Sequence, residues 1–172
     1  KADAFCCPST PDREIYATFA QTPITILGEQ EIFFNPTNSN SSAIKNARHQ
    51  KDLYQFRTAT FLGNSSHALI WKDHPAVLHV SDITQIFRLL LSGRIDFYSA
   101  DPLVTRFKMK ESGFAGLLNS FPIDSELAKR TEMRFGLRRD YPNAEKLITK
   151  IDNAIKRSMT ENLEEKILGK YR

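Results

Sequence analysis

The stretch from Ser81 to Asp101 constrains the fold more than any other part of this 172-residue chain. Ile83, Ile86, Phe87 and Leu90 recur at helical spacing, which predicts a helix from Asp82 to Ser92 with one apolar face. Ser81 stands before it as a cap for the orphan amides of the first turn. Gly93 ends it, because glycine enters the left-handed conformation without a Cβ penalty. Ile95–Tyr98, β-branched and aromatic, predicts a short strand, and Asp101 falls just beyond its carboxyl end. In open α/β sheets ligands bind at that edge, so Asp101 is a candidate contact for a cationic group. The same acid is equally suited to capping a helix that opens at Pro102.

The pattern alternates on either side of this segment. Thr58–Leu62 predicts a strand, Gly63-Asn64-Ser65-Ser66 a tight turn, His67–Lys72 the opening of a helix and Ala76–Val80 a second strand. Strands alternating with helices through short loops predict an α/β fold with a parallel sheet. Phe107–Gly113 reads as the end of another helix, Gly116–Glu126 as irregular and Met133–Leu137 as a strand. Ala144, Leu147, Ile148, Ile151, Ala154 and Ile155 share one face of a long helix starting near Pro142, and Asn162–Lys170 predicts a shorter one. Upstream, residues 1–7 read as a strand, Thr10–Arg13 as a turn and Pro23–Phe34 as β-rich. The Asn-, Ser- and Thr-rich composition of residues 35–50 marks a boundary between subdomains.

Hydrophobic residues make up 41% of the chain and charged residues 26%, as in ordinary globular proteins. The net charge is +4, but Lys and Arg are scattered among acids apart from small clusters such as Arg138-Arg139. A nucleic-acid surface needs a dense basic stripe with interleaved aromatics, so no nucleic-acid partner is expected. No apolar run approaches a membrane span. Cys6 and Cys7 are neighbours, closer than an unstrained disulfide prefers, and read as two small buried hydrophobes. His49, His67, His74 and His79 lack metal-ligand spacing. There is no Gly-rich phosphate loop and no Gly-x-Ser-x-Gly elbow, so no metal, cofactor or catalysis is expected. Asp96, just after the helix stop, reads as structural.

Four pieces stand in a fixed order: Lys1-Ala2-Asp3-Ala4 followed by Thr10-Pro11-Asp12-Arg13 and Phe19; Leu62-Gly63-Asn64-Ser65; Leu91-Ser92-Gly93-Arg94-Ile95-Asp96 with Asp101; and Phe135-Gly136-Leu137-Arg138-Arg139-Asp140-Tyr141-Pro142. Together they resemble the bacterial extracellular solute-binding proteins of family three, the periplasmic receptors for polar amino acids and related small molecules. The resemblance implies a two-lobed, type II periplasmic-binding-protein-like α/β fold. Residues 1–32 and 135–172 then form lobe one, and residues 33–134 form lobe two. It also implies that the N-terminal part of lobe one is absent, leaving the Ala144–Ile155 helix without its usual partner. A fragment of a longer protein is the favoured reading, ahead of a second chain that completes the lobe.

The family closes its two lobes over a ligand, and the resemblance assigns roles accordingly. Arg13 is implied to take the ligand carboxylate, since a planar guanidinium makes two parallel bonds to it; a surface pairing with Asp12 or Glu14 is the alternative. Asn64 and Ser65 are implied as the second carboxylate contact through free amides at a helix start, a role compatible with plain capping. Asp101 is implied to pair with the α-ammonium. Cys6 and Pro8 stand where amino-acid receptors carry small hydroxyl residues, and Pro8 has no amide hydrogen, so Cys6 lines an altered pocket and the ligand's identity stays open. The implied partners are an amino-acid-like small molecule and an ABC transporter permease, in the periplasm. A sensory module, a small-carboxylic-acid enzyme and a decayed pocket used for interaction are the other readings of the same fold.

Overall fold

The structure is a computed structural model that describes residues 2–26, 30–64, 67, 70–123, 132–161 and 163–169. The chain divides into two units, one of Lys1–Leu27 with Arg130–Arg172 and one of Gly28–Lys129. Numbered along the chain, the first unit holds β1 (Ala4–Cys7), α1 (Pro11–Glu14), β2 (Ala17–Phe19) and β3 (Thr25–Ile26). The second holds β4 (Glu31–Phe34), α2 (Ser41–Lys45), β5 (Thr58–Phe61), β6 (Val77–Val80), α3 (Ile83–Leu91), β7 (Tyr98–Ala100), α4 (Pro102–Glu111) and β8 (Asn119–Pro122). The chain then returns to the first unit with β9 (Glu132–Arg138), α5 (Ala144–Thr160) and α6 (Leu163–Leu168). The divisions fall before the expected 32/33 and 134/135 boundaries, which would cut through β4 and β9. Paired strands are not divisible in mid-ladder.

In the first unit β9 is the central strand, antiparallel to β1, β2 and β3. Gly136 on β9 faces Phe5 of β1 on one side and Phe19 of β2 on the other. Their rings meet edge to face, 5.8 Å apart and inclined at 76°, and lie over the glycine. A Cβ at Gly136 would come 2.6 Å from Phe5 Cε2 and 2.7 Å from Phe19 Cε1. Gly136→Ala is therefore expected to cost about 1–3 kcal/mol through overpacking, despite alanine's better strand entropy. Thermal unfolding checks this, and a more stable variant would refute the packing argument. Helix α5 packs Ala144 and Ile148 against Leu137, with Phe135 and Leu147 at the margin. Its expected apolar face is only partly realised: Ala154 is exposed, Ile151 and Ile155 are half-buried, and Asp152 is buried instead. Asp152 accepts from the Thr22 amide at 2.6 Å and from Lys156 at 2.8 Å, which satisfies a carboxylate there.

In the second unit β4 is buried on both faces. Ile32 and Phe34 enter one cluster with Ile44, Leu53, Trp71 and Phe97, while Phe33 enters another with Ile86, Phe87, Leu90 and Tyr98. Period-two alternation sends successive side chains to opposite layers, so one apolar strand serves both. The expected parallel sheet is present only in part. β5 and β6 are parallel and a Thr58–Phe97 bridge continues that sense, whereas β4 is antiparallel to both β7 and β8. The strand expected at Ile95–Tyr98 begins at Tyr98, because Ile95 is spent on the core and Phe97 only bridges to Thr58. β8 lies inside the stretch expected to be irregular. Helix α3 starts one residue late: its cap is Asp82, which accepts from Gln85 N at 3.1 Å, while Ser81 donates to Asp82.

Candidate functional site

The parallel bridge between Thr58 and Phe97 aligns β5 with the segment entering β7, so the carboxyl ends of both strands fall at one edge of the second unit. Two of the expected site residues stand there. Asp101 follows β7 and caps α4, its Oδ1 accepting from the Val104 amide at 2.9 Å. The capping reading of this acid therefore holds. It is half-buried, and among the described residues no cation pairs with it.

Asn64 follows β5. Gly63 before it takes φ +88°, which a residue with a side chain rarely adopts, so the chain turns sharply at the strand end. The Asn64 side chain is fully engaged. Its Oδ1 accepts from the His67 amide at 3.2 Å and its Nδ2 donates to the Tyr98 hydroxyl at 3.3 Å. The capping reading of Asn64 thus accounts for its side chain, and any ligand contact from it falls to the backbone. Ser65 lies outside the described residues.

His67 and Tyr98 were not singled out as site residues from sequence, since a lone histidine and a strand tyrosine carry no spacing signal. They form a stack under the loop, with ring centroids 5.6 Å apart and planes inclined at 17°. Burial, and then the charges that His74 and His79 carry when protonated, hold the His67 imidazole down at about 3, so it is neutral. Burial raises the Tyr98 hydroxyl far above its ordinary value, against a smaller opposing effect of the Asn64 bond. Neither ring nitrogen of His67 has a hydrogen-bond partner among the described residues. This stack ties the β5 loop to β7 without charge.

Arg13 and Cys6 belong to the first unit. Arg13 sits half-buried in α1, and its Nη1 donates to the Pro8 carbonyl at 2.9 Å. Pro8 lacks the donors expected at its position but supplies an acceptor that orients the arginine. Neither cysteine is the buried hydrophobe expected: Cys6 is exposed on β1 opposite Phe135, and Cys7 is half-buried. Both thiols are free, as alternation along a strand requires, since it points adjacent side chains to opposite faces.

No protein-family model matches this chain, and no curated protein matches it. Solved structures do. The chain is similar to the GluR0 ligand-binding core in complex with L-glutamate, at 14% identity and a TM-score of 0.74 over 96% of this chain and 69% of that one. It is similar to an amino-acid ABC transporter substrate-binding protein of Streptococcus pneumoniae bound to L-arginine, at 14% identity and a TM-score of 0.73 over 96% of this chain and 65% of that one. It is also similar to an ancestral amino-acid-binding protein described as a precursor of cyclohexadienyl dehydratase, at 20% identity and a TM-score of 0.69 over 96% and 65%. The chain spans about two thirds of the length of these structures. On these likenesses the chain has the type II periplasmic binding fold of amino-acid-binding proteins.

Proposed function

We propose that this chain is the solute-binding domain of an extracytoplasmic, periplasmic receptor for a small amino-acid-like zwitterion, which it delivers to an ABC transporter permease. The observation that carries the reading is Asp101, a carboxylate with no cationic partner among the described residues, set at the carboxyl end of β7 and at a helix start. An α-ammonium is the group such a carboxylate recognises. The roles proposed for the ligand carboxylate fall to the Arg13 guanidinium, which Pro8 orients, and to Asn64 and Ser65, with Cys6 a further candidate contact in place of a hydroxyl. Binding and release without turnover are proposed. Among the described residues no helix is long and apolar enough to cross a membrane.

Thermal shift of the full-length protein against L-arginine, L-glutamine and L-glutamate tests this. A ligand at about 100 times its Kd stabilises by about 2.7 kcal/mol. Asp101→Ala also removes a helix cap worth about 1 kcal/mol, so Asp101→Asn, which keeps the cap and loses the charge, is the decisive variant. Both it and Arg13→Ala are expected to abolish the shift, since an ammonium or carboxylate left without its counter-charge loses about 3–5 kcal/mol. An unchanged shift in both variants would remove these residues from the site.

A further inference from the structure

A hollow of about 670 Å3 opens on the second unit beside β8, the edge strand on the far side of β4 from β7 and Asp101. Its volume is that of a small-molecule site. Half-buried Phe121 forms its apolar floor, meeting the fully buried Phe34 ring beneath it edge to face at 6.0 Å and 68°. Lys45 and Arg48 stand at its wall, and among the described residues no acid lines it. The Lys45 ammonium lies over the Phe34 ring, 5.7 Å from its centroid. Among the described residues neither cation has a carboxylate partner.

Strand geometry adds one neutral donor. Ile123 N donates to Gln30 O at 3.2 Å, in a register that pairs Phe121 with Ile32 and Asn119 with Phe34. Alternation in an antiparallel ladder turns the N–H and C=O of Asn119 and Phe121 toward β4, and those of Ser120 and Pro122 toward the open edge. Pro122 has no N–H, so Ser120 is the one residue of β8 that offers an amide hydrogen to the hollow. A peptide strand laid on this edge would find one donor where a ladder needs a row. A compact anion needs no row.

We infer that this hollow is a second binding site, which takes a small organic anion: a carboxylate or phosphate ester carried on a flat apolar ring. The ring lies on Phe121, and the charge is taken by Lys45 and Arg48 with the Ser120 amide. The site is independent of the Asp101 loop and does not rest on the proposed receptor role.

Amide chemical-shift titration of the 15N-labelled full chain with phenyl phosphate tests the inference. Saturable shifts are expected at Lys45, Ser120 and Phe121, with affinity about tenfold above that of inorganic phosphate. Lys45→Ala combined with Arg48→Ala, both exposed positions, should weaken binding about tenfold or more. Asp101→Asn should leave it unchanged. Equal affinity for inorganic phosphate would overturn the ring subsite, and equal affinity in the double variant would overturn the charge assignment. Loss of binding in Asp101→Asn would place the anion at the other loop, and shifts produced by an acidic peptide but not by phenyl phosphate would make the edge a protein-docking surface. Absence of any shift would refute the site altogether.

Discussion

Asp96→Ala is expected to lower the stability of the second unit by about 3 kcal/mol, a large effect for one exchange. The Asp96 side chain is 3% exposed. It accepts from Arg57 Nε at 2.9 Å, Arg57 Nη2 at 3.0 Å, the Arg57 amide at 2.9 Å, Asn38 Nδ2 at 3.0 Å and Asn40 Nδ2 at 3.2 Å. Burial alone would push its carboxyl up; the Arg57 side chain and amide, with the two asparagines, outweigh that and hold it at about 2. The guanidinium is 57% exposed, so the ion pair by itself contributes little. The cost comes from three part-buried hydrogen bonds lost at once, from the Asn38 and Asn40 side chains and the Arg57 amide, each about 1 kcal/mol. Arg57→Ala should therefore cost only about 1 kcal/mol. Trp71, the chain's single tryptophan, is 2% exposed in the core of this unit and reports its unfolding. The expected signature is a lower urea midpoint at unchanged slope. Equal losses for Asp96→Ala and Arg57→Ala would mean that the ion pair, and not the amide network, carries the stability.

The contrast between Asp96 and its partners shows what local pattern reveals. The helix stop at Gly93 and the apolar face of α3 are written in spacing over a few residues, and they are where the spacing places them. Asp96 is likewise legible as structural. Its ligands Asn38 and Asn40 sit in the polar stretch that sequence marks only as a boundary, more than fifty positions away. No local signal encodes such a contact. β8 is obscured for a related reason: Asn, Ser and Pro disfavour strands, and only pairing with β4 makes Asn119–Pro122 one. At the site, Asp101 and the Gly63-Asn64 turn were legible because strand ends and turn residues have positional chemistry. The Tyr98–Asn64 bond was not, because the register of β5 against the β7 segment, set by the Thr58–Phe97 bridge, decides it.

The second large expected effect is a loss of stability in mild acid that one histidine governs. His67 is 2% exposed, stacked on Tyr98 and against Trp71, with His74 packed beyond Trp71. Its folded value of about 3 lies below the ordinary 6.5. Between those values the unfolded chain binds a proton that the native chain excludes, so stability is full above 6.5 and falls as the pH falls, by up to about 1.4 kcal/mol per pH unit. Asp96 works in the same direction but only from 3.8 down to about 2, so the interval from about pH 6 to pH 4 isolates His67. His67→Phe keeps a ring on Tyr98 and removes the titration together with two unbonded nitrogens. It is expected to flatten the pH dependence of the Trp71-monitored urea midpoint in that interval and to leave the protein at least as stable near neutrality. A slope that survives the exchange would assign the acid response to another group and remove His67 from it.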